Sequence, residues 1–589
     1  MPSSVVDALT SALYGDQFDR VHAPWRTLLS TAPFRFREGL TYDERIALSY
    51  ERLRLVNEHM ADPYRFTEDV EALAALHEWL APVDPGLVTL ASIHYNLFLG
   101  SLQQYGTTPS TAFARMDRMG SFLCTEAAHG NSASQLETTA TYSPETETFV
   151  LHTPTKGAAK FMPNTSSLGG PKSGVVAARL IVRGKDEGVF LFLTPLQDAE
   201  GRAIPGIEIR RLPQTSTHPI DHSLTVFHRV HLPYEAMLQA DHGRLTRDGE
   251  FSSSVGNRRR RFLMSIGRVT AGKACMSACG LGLVRQAVAV AMRHAHRRHT
   301  APMTAGANVP LMAYRSHHGP LLDGLVTAYA ATLLQRLAVR RLARAEGEER
   351  DDADRLIAMT KGWVTWQARA VMTECRERCG AQGLFLANGI AGELAALEGT
   401  ITAEGDNTVI WAKAAGELLL GNFSPAAENE GAPADLDLAD PEVVQRLLGS
   451  VEGLCYERAR GLLRGKASGA LHRWNRTVTA ALELVDAHVR RLAAGELLRA
   501  AQSADDPEAR RLLHDMHRYF ALRQIARHSG QLLAEGRVTA DHVRVLPDLC
   551  EELIEGLAPH AMTLTEGMAM PEEWLRDSPM ARAETAAAG

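Results

Sequence analysis

The sequence predicts a mainly helical α+β protein in which one short-stranded segment interrupts long helices. Three observations predict it. Early segments such as TYDERIALSYERLRLVNEHM repeat their apolar residues with a helical period. Between about residues 120 and 250 the chain changes to short β-branched and aromatic runs separated by Gly, Pro, Asp and Asn. From about Phe262 it returns to alanine- and leucine-rich helical stretches. A chain of 589 residues exceeds what one hydrophobic core organises, and length alone argues for three or four domains.

The elements follow in order. Residues 1–118 read as an N-terminal helical domain, with Thr41 as N-cap, Glu44 three residues on, and Pro63, Pro82 and Pro85 as punctuation. Residues 119–250 read as a β-domain whose strands include FVLHTPT, SGVVAARLIV, GVFLFLTPL and LTVFHRVHL. Residues 255–421 are helical again. Residues 422–440, NFSPAAENEGAPADLDLAD, have a Pro/Ala/acidic linker composition, and residues 441–589 form a second all-helical block.

Composition excludes several classes. Charged residues make up 22% and the net charge is −6, so neither nucleic acid nor an anionic membrane is the expected main partner. Seven cysteines lack the Cys-x2-Cys pairs of structural zinc and read as reduced, mostly buried thiols, which suits a cytoplasmic protein. The N-terminal residues have no signal-peptide pattern, and ETAAAG is not a peroxisomal Ser-Lys-Leu address. The apolar stretch Ala274–Val284 is too short to span a bilayer, so no membrane span is expected.

Common motifs fail on inspection. CGLGLVR has Arg285 where a dinucleotide fingerprint needs glycine, and it lies inside a helical run. GGPKSG is not a phosphate-binding loop of the Walker kind, and no Gly-x-Ser-x-Gly elbow exists. The histidines between His294 and His318 lack His-Glu-x-x-His spacing, so no metal is expected. The run Arg258–Arg261 reads as a solvated helix start or an interface patch.

Two stretches are more specific. One is LCTEAAHGNSASQLETTATYSPETETFVLHTPTKGAAKF, residues 123–161; the other is CRERCGAQGLFLANG, residues 375–389, followed by ITAEGDNTVI. Together they resemble the flavin-dependent acyl-CoA oxidases, within the acyl-CoA dehydrogenase superfamily. The resemblance implies an N-terminal helical domain, a middle β-barrel, a helical bundle holding FAD, and a C-terminal helical domain. It also implies a homodimer, an acyl-CoA substrate and O2 as electron acceptor.

Removing hydrogen from Cα and Cβ of a thioester needs a base for the proton, an acceptor for the hydride, and donors for the developing enolate-like oxygen. The family's Tyr-Glu-Gly-Asp-Asn motif aligns Glu404 with the catalytic base. Independently, Gly405, Asp406 and Asn407 form a turn before the periodic run TVIWAKAAGELLLG, with Asp406 or Asn407 as its cap. Glu404 then sits by a helix N-terminus, where free N–H groups favour negative charge. On spacing alone, Glu404 would merely decorate that cap.

The resemblance also implies cofactor contacts. Thr125 matches the threonine that meets the flavin ring, Gly130 lies in the loop expected to approach it, and Arg297 matches the arginine on the FAD pyrophosphate. Gly380 and Gly383 match the glycine turn that meets the partner subunit's FAD. Asp406 and Asn407 complete the cofactor set, and Phe161, Ala403 and Gly405 are assigned to substrate.

Departures from the family pattern cluster on this site. His299 and His317 stand where glutamines are expected, Ala381-Gln382 replaces Gly-His, and Ala403 replaces a tyrosine, which enlarges the acyl pocket. Phe161-Met162-Pro163-Asn164 replaces Trp-Trp-Pro-Gly, and Asn131-Ser132 replaces Ser-Asn. They point to a divergent bacterial member and leave an acyl group on a carrier protein as an alternative to acyl-CoA. A dehydrogenase with another acceptor and a flavin-free binding subunit are the competing readings.

Overall fold

The computed structural model describes residues 4–302, 306–421, 423–425 and 436–582. Most of the expected linker therefore lies outside the described residues. The chain forms two compact units, one of residues 37–275 and one combining residues 1–36 with 276–589. These units cut across the five segments read from sequence, because packing rather than chain order gathers the ends of the chain.

In the unit of residues 37–275, helix Tyr42–Glu58 starts as its sequence predicts. The Thr41 side chain accepts from the Glu44 N–H, and Glu44 reaches back to the Thr41 N–H at 2.8 Å. Its two larger sheets are built from β1 (Met119–Leu123), β2 (Thr139–Ser143), β3 (Thr148–His152), β4 (Lys160–Phe161), β5 (Lys172–Val182), β6 (Lys185–Pro195), β7 (Ile207–Arg211), β8 (Ser223–Phe227) and β9 (Val230–Pro233), and a short hairpin pairs Arg244–Leu245 with Phe251–Ser252.

The long strand β5 organises them. Its first half pairs in parallel with β1, its second half in parallel with β2, and β6 runs antiparallel along its other edge. Strands β3 and β9 extend this six-stranded sheet, and β4, β8 and β7 form a separate three-stranded sheet. Both sheets close on one core that includes Phe149, Val176, Phe190, Phe192, Ile207 and Phe227. The expected barrel is thus a curled pair of sheets, not a continuous hydrogen-bonded ring.

The other unit is a set of long helices, among them Arg315–Arg344, Glu349–Arg378, Pro441–Arg464, Ala470–Ser503 and Pro507–Arg527. The first residues join the last: Tyr14 donates to the Met568 carbonyl at 2.9 Å, the Arg26 Nε to the Ala569 carbonyl at 3.0 Å, and the Trp574 Nε1 to the Leu29 carbonyl at 3.1 Å. Arg35 and Asp577 form an ion pair at 2.9 Å.

One expectation needs correction. Helix Arg268–Arg297 is long and apolar enough to cross a membrane, with a mean hydropathy of 1.5 over 18 residues. The apolar stretch extends well beyond Val284, through VAVAM. However, 94% of that window is buried inside the protein, as for the core helix of a bundle. All seven cysteines are free, and five are buried.

Candidate active site

The two groups of candidate residues lie in different units, and each has its own support. In the helical unit, Glu404 occupies the turn between helices Ile390–Thr402 and Asn407–Leu420. Ala403 is exposed and extended, Glu404 is half-buried at φ +57°, and Gly405 follows at φ +97°. A side chain on Gly405 would strike the Ile410 Cγ2 at 2.7 Å, so both space and backbone angle require glycine. Left-handed backbone at Glu404 costs about 1–2 kcal/mol. Turn residues Glu147 and Arg183 share that conformation, so it marks Glu404 only together with what holds it.

That support is Lys361, fully buried in the middle of helix Glu349–Arg378. Its Nζ donates to the Ile401 carbonyl at 2.7 Å and to the Gly405 carbonyl at 2.8 Å, bracketing Glu404 from both sides. The cap belongs to Asp406, which accepts from the Thr408 N–H at 3.0 Å. Asn407 is buried and pins the helix start, donating to the Thr365 hydroxyl at 2.9 Å and the Gly362 carbonyl at 3.3 Å. Both side chains help to position the loop, and the buried Asn407 Oδ1 is left without a hydrogen-bond partner. Lys361 was missed from sequence; its only signal is a lone cation within the apolar stretch AMTKGWVTW.

Gly380 adopts φ +56° directly after helix Glu349–Arg378, and its Cβ position is open. Gly383 is buried, and a Cβ there would meet the Arg376 carbonyl at 2.7 Å. That packing accounts for Gly383 without a ligand. The turn is fastened by Asn388, whose Oδ1 accepts from the Ser578 hydroxyl and the Met580 N–H, each at 3.0 Å. Leu384, Phe385 and Leu386 beside it are 60%, 60% and 52% exposed.

Arg297 ends helix Arg268–Arg297 and is exposed. His299 is exposed too, its Nδ1 donating to the Arg297 carbonyl at 2.9 Å. His317 is half-buried in the first turn of Arg315–Arg344. Burial first, then the Arg378 and His294 charges, push its pKa down to about 4, so it is neutral near pH 7. The Nε2 atoms of His317 and His318 are buried without a hydrogen-bond partner. The two unsatisfied ring nitrogens leave hydrogen-bonding capacity that a polar cofactor could use.

In the β-containing unit, Thr125 is half-buried and its carbonyl accepts from the Phe161 N–H at 2.9 Å. This loop rests on a buried ion pair missed from sequence. Lys160 Nζ lies 3.0 Å from Glu126 and donates to the Ala177 carbonyl at 2.8 Å and the Cys124 carbonyl at 3.2 Å. Burial alone would raise the Glu126 carboxyl, but Lys160 and the Thr138 and Glu137 donors outweigh it and carry its pKa below the ordinary value. Gly130 is exposed with no protein atom near its Cβ position and no positive φ. Nothing within the protein demands glycine there.

Phe161 and Met162 are apolar yet 40% and 38% exposed, and Met162 is left-handed at φ +61°. Polar bonds fix this turn. His222 Nδ1 donates to the Met162 carbonyl at 2.7 Å, and the Ser223 N–H to the Pro163 carbonyl at 2.9 Å. Asn164 donates to Tyr50 at 3.2 Å, Tyr50 donates to Asp221 at 2.8 Å, and Asp221 pairs with buried Lys172 at 2.5 Å. Two apolar side chains held at the surface by a buried network present a fixed wall to an aromatic or acyl ligand.

Among the described residues no cluster of His, Cys, Asp or Glu forms a metal site.

Comparisons with known proteins converge. The family described as "Acyl-CoA oxidase, C-alpha1 domain" matches residues 267–419, and that described as "Acyl-CoA oxidase" matches residues 451–584. The peroxisomal acyl-coenzyme A oxidase 2 of Arabidopsis thaliana is 25% identical over 91% of this chain and 83% of its own length. The crystal structure of acyl-CoA oxidase 3 from Yarrowia lipolytica superposes with a TM-score of 0.85 at 20% identity, over 98% of this chain and 89% of that one. The acyl-CoA oxidase-1 of Caenorhabditis elegans, solved with FAD and ATP, superposes at 0.83 and 19% identity, over 98% and 91%.

Proposed function

We propose that this chain, which matches acyl-CoA oxidase family models over residues 267–419 and 451–584, is a member of that family and an FAD-dependent oxidase that converts an acyl-CoA to its trans-2-enoyl thioester, with O2 reduced to H2O2. The observation that carries this is Glu404: a half-buried carboxylate on a left-handed turn, braced at both ends by one buried lysine. When bound, the flavin supplies the acceptor for the Cβ hydride and the route of the electron pair to O2.

The chain's own residues do the rest. Glu404 takes the Cα proton. Lys361 fixes the turn so that the carboxylate does not swing away. The exposed pair Phe161 and Met162 offers an apolar wall, and Ala403, exposed and small, leaves room for the acyl group. Arg297, His299 and His317 offer donors to the cofactor's phosphates and polar edge, as do Thr125 and the open loop at Gly130 to its ring. Gly380 and the exposed run Leu384–Leu386 support a subunit interface in a homodimer. Reduced, mostly buried thiols support a cytoplasmic location.

The test is the visible absorption spectrum of the purified protein followed by oxygen uptake. Oxidised-flavin bands and oxygen consumption with release of H2O2 on adding acyl-CoA are expected. Flavin reduction by acyl-CoA without oxygen uptake would indicate a dehydrogenase instead. A protein that stays colourless after incubation with FAD would overturn the reading.

A further inference from the structure

The helix Arg258–Ser265 presents apolar side chains to solvent. Its inner side is settled. Phe262 is buried, and the Ser265 hydroxyl donates to the Val189 carbonyl of β6 at 2.9 Å. Arg261 is buried too, its Nη1 donating to the Val255 carbonyl at 3.2 Å and its guanidinium lying over the Phe251 ring at 5.4 Å. Both ends of the helix are fixed. Asn257 accepts from the Arg259 N–H at 2.8 Å, and the Tyr105 hydroxyl donates to the Met264 carbonyl at 3.0 Å.

The outer side is a different matter. Arg259, Arg260, Leu263 and Met264 are all exposed, the two apolar residues at 44% and 40%. Positions four apart lie above one another on a helix, so Arg259 stands over Leu263 and Arg260 over Met264. Together they form one stripe about 140° wide at 100° per residue, with cations at one end and apolar side chains at the other. Among the described residues Arg259 and Arg260 make no ion pair.

The surroundings are basic as well. Arg258 lies 3.8 Å from Asp186, a carboxylate already held by Arg179 at 2.8 Å. Residues 179–187 of the β5–β6 hairpin carry Arg179, Arg183 and Lys185 against Asp186 and Glu187. With the four arginines of the helix the local balance is seven cations to two acids, in a chain whose net charge is −6.

A cationic stripe continuous with exposed apolar side chains fits an acidic protein surface that brings apolar residues of its own. Charge guides the encounter, and burial of the apolar pair holds it. A lipid surface fits less well, because two apolar side chains on a two-turn helix insert little area and the chain as a whole is acidic. The reaction proposed above supplies the reason for such a partner. An acyl group on the phosphopantetheine arm of an acyl carrier protein has the same Cα and Cβ hydrogens beside the same thioester, and the carrier is a small acidic protein.

We propose that the Arg259–Met264 face docks an acidic acyl carrier protein, whose acyl thioester then undergoes the desaturation given above for acyl-CoA. The proposal rests on that acyl-thioester reading and goes beyond it by naming a protein partner and the face that receives it.

Two measurements on the full-length, flavin-loaded protein test it. Calorimetry would follow binding of octanoyl-loaded acyl carrier protein to wild type, to R259E/R260E and to L263S/M264S, at low and high salt. Steady-state kinetics would compare the octanoyl carrier protein with octanoyl-CoA. We expect wild type to bind the carrier protein, and R259E/R260E to weaken that binding and raise the KM for the carrier-bound substrate by about tenfold or more at low salt. L263S/M264S should weaken binding at both salt concentrations. The KM for octanoyl-CoA should stay within about threefold in both variants, as for surface changes away from a site. A wild-type protein that does not bind the carrier, or equal carrier affinity in wild type and R259E/R260E, would overturn the proposal. So would an equal KM rise for both substrates. Vesicles of anionic phospholipid that bind wild type and not R259E/R260E, with no carrier-protein binding, would assign the face to a lipid surface and overturn it too. If wild type binds the carrier and R259E/R260E does not, while neither thioester is turned over, the docking face stands and the oxidase reading fails.

Discussion

Replacing Lys361 with methionine separates support of the base from the chemistry itself. The Lys361 ammonium donates to the Ile401 and Gly405 carbonyls at 2.7 and 2.8 Å. A hydrogen bond from a charged group contributes roughly 1.5–3 kcal/mol. Methionine fills similar space and removes the desolvation penalty of the buried ammonium, which offsets part of the loss. A net destabilisation of about 2–3 kcal/mol follows, taking the low end of each bond. The effect on turnover is larger, because freeing both ends of the turn lets the carboxylate drift, and a misplacement of about 1 Å costs about 100-fold. The assay is steady-state turnover with bound flavin quantified, beside urea denaturation. We expect kcat to fall about 100-fold while flavin content holds and KM changes little. Turnover within a few-fold of wild type in a folded, flavin-loaded K361M would refute this account of the loop.

Three further outcomes are expected. Burial pushes the pKa values of His77, His94, His218, His242, His317 and His517 down to about 4. Their contribution to stability is complete above about pH 6.5 and is lost as pH falls toward 4, where the unfolded chain takes up protons that the folded chain refuses, at up to about 1.4 kcal/mol per pH unit for each. Thermal melts between pH 7 and 4.5 should show Tm falling steeply, and a flat profile would contradict the burial of these rings. Lys160→Met leaves Glu126 buried and unpaired and should destabilise by about 3–5 kcal/mol in urea titration; a change below about 1 kcal/mol would mean that the pair does not anchor the Thr125 loop. Gly405→Ala combines φ +97° with a contact at 2.7 Å to Ile410. It should lower kcat more than KM, and an unaffected kcat would show that the turn tolerates displacement.

What the sequence made legible was local. The Thr41–Glu44 capping box, the strand run SGVVAARLIV and the cap before TVIWAKAAGELLLG are set by neighbours in the chain, and each forms where the pattern places it. The resemblance then pointed to Glu404 through a short contiguous motif. What stayed hidden depends on long-range partners. Strand β5 pairs in parallel with both β1 and β2, which no alternation in any one strand reveals. Lys361 lies more than forty residues from the turn it holds, Lys160 is thirty-four from Glu126, and Tyr50 is 171 from Asp221. Each looks like an ordinary charged or polar residue until folding buries it. Asp406 and Asn407 show how one motif serves two ends: Asp406 caps the helix and the Asn407 amide pins its start, while the buried Asn407 Oδ1 has no hydrogen-bond partner.

The most direct test is anaerobic mixing of the flavin-loaded protein with acyl-CoA, following flavin absorbance in wild type and in Glu404→Gln. The account predicts rapid bleaching in wild type, and in the variant bleaching slower by about a thousandfold, within the usual range for loss of a general base, with flavin still bound. Bleaching at the wild-type rate in the variant would show that Glu404 is not the base.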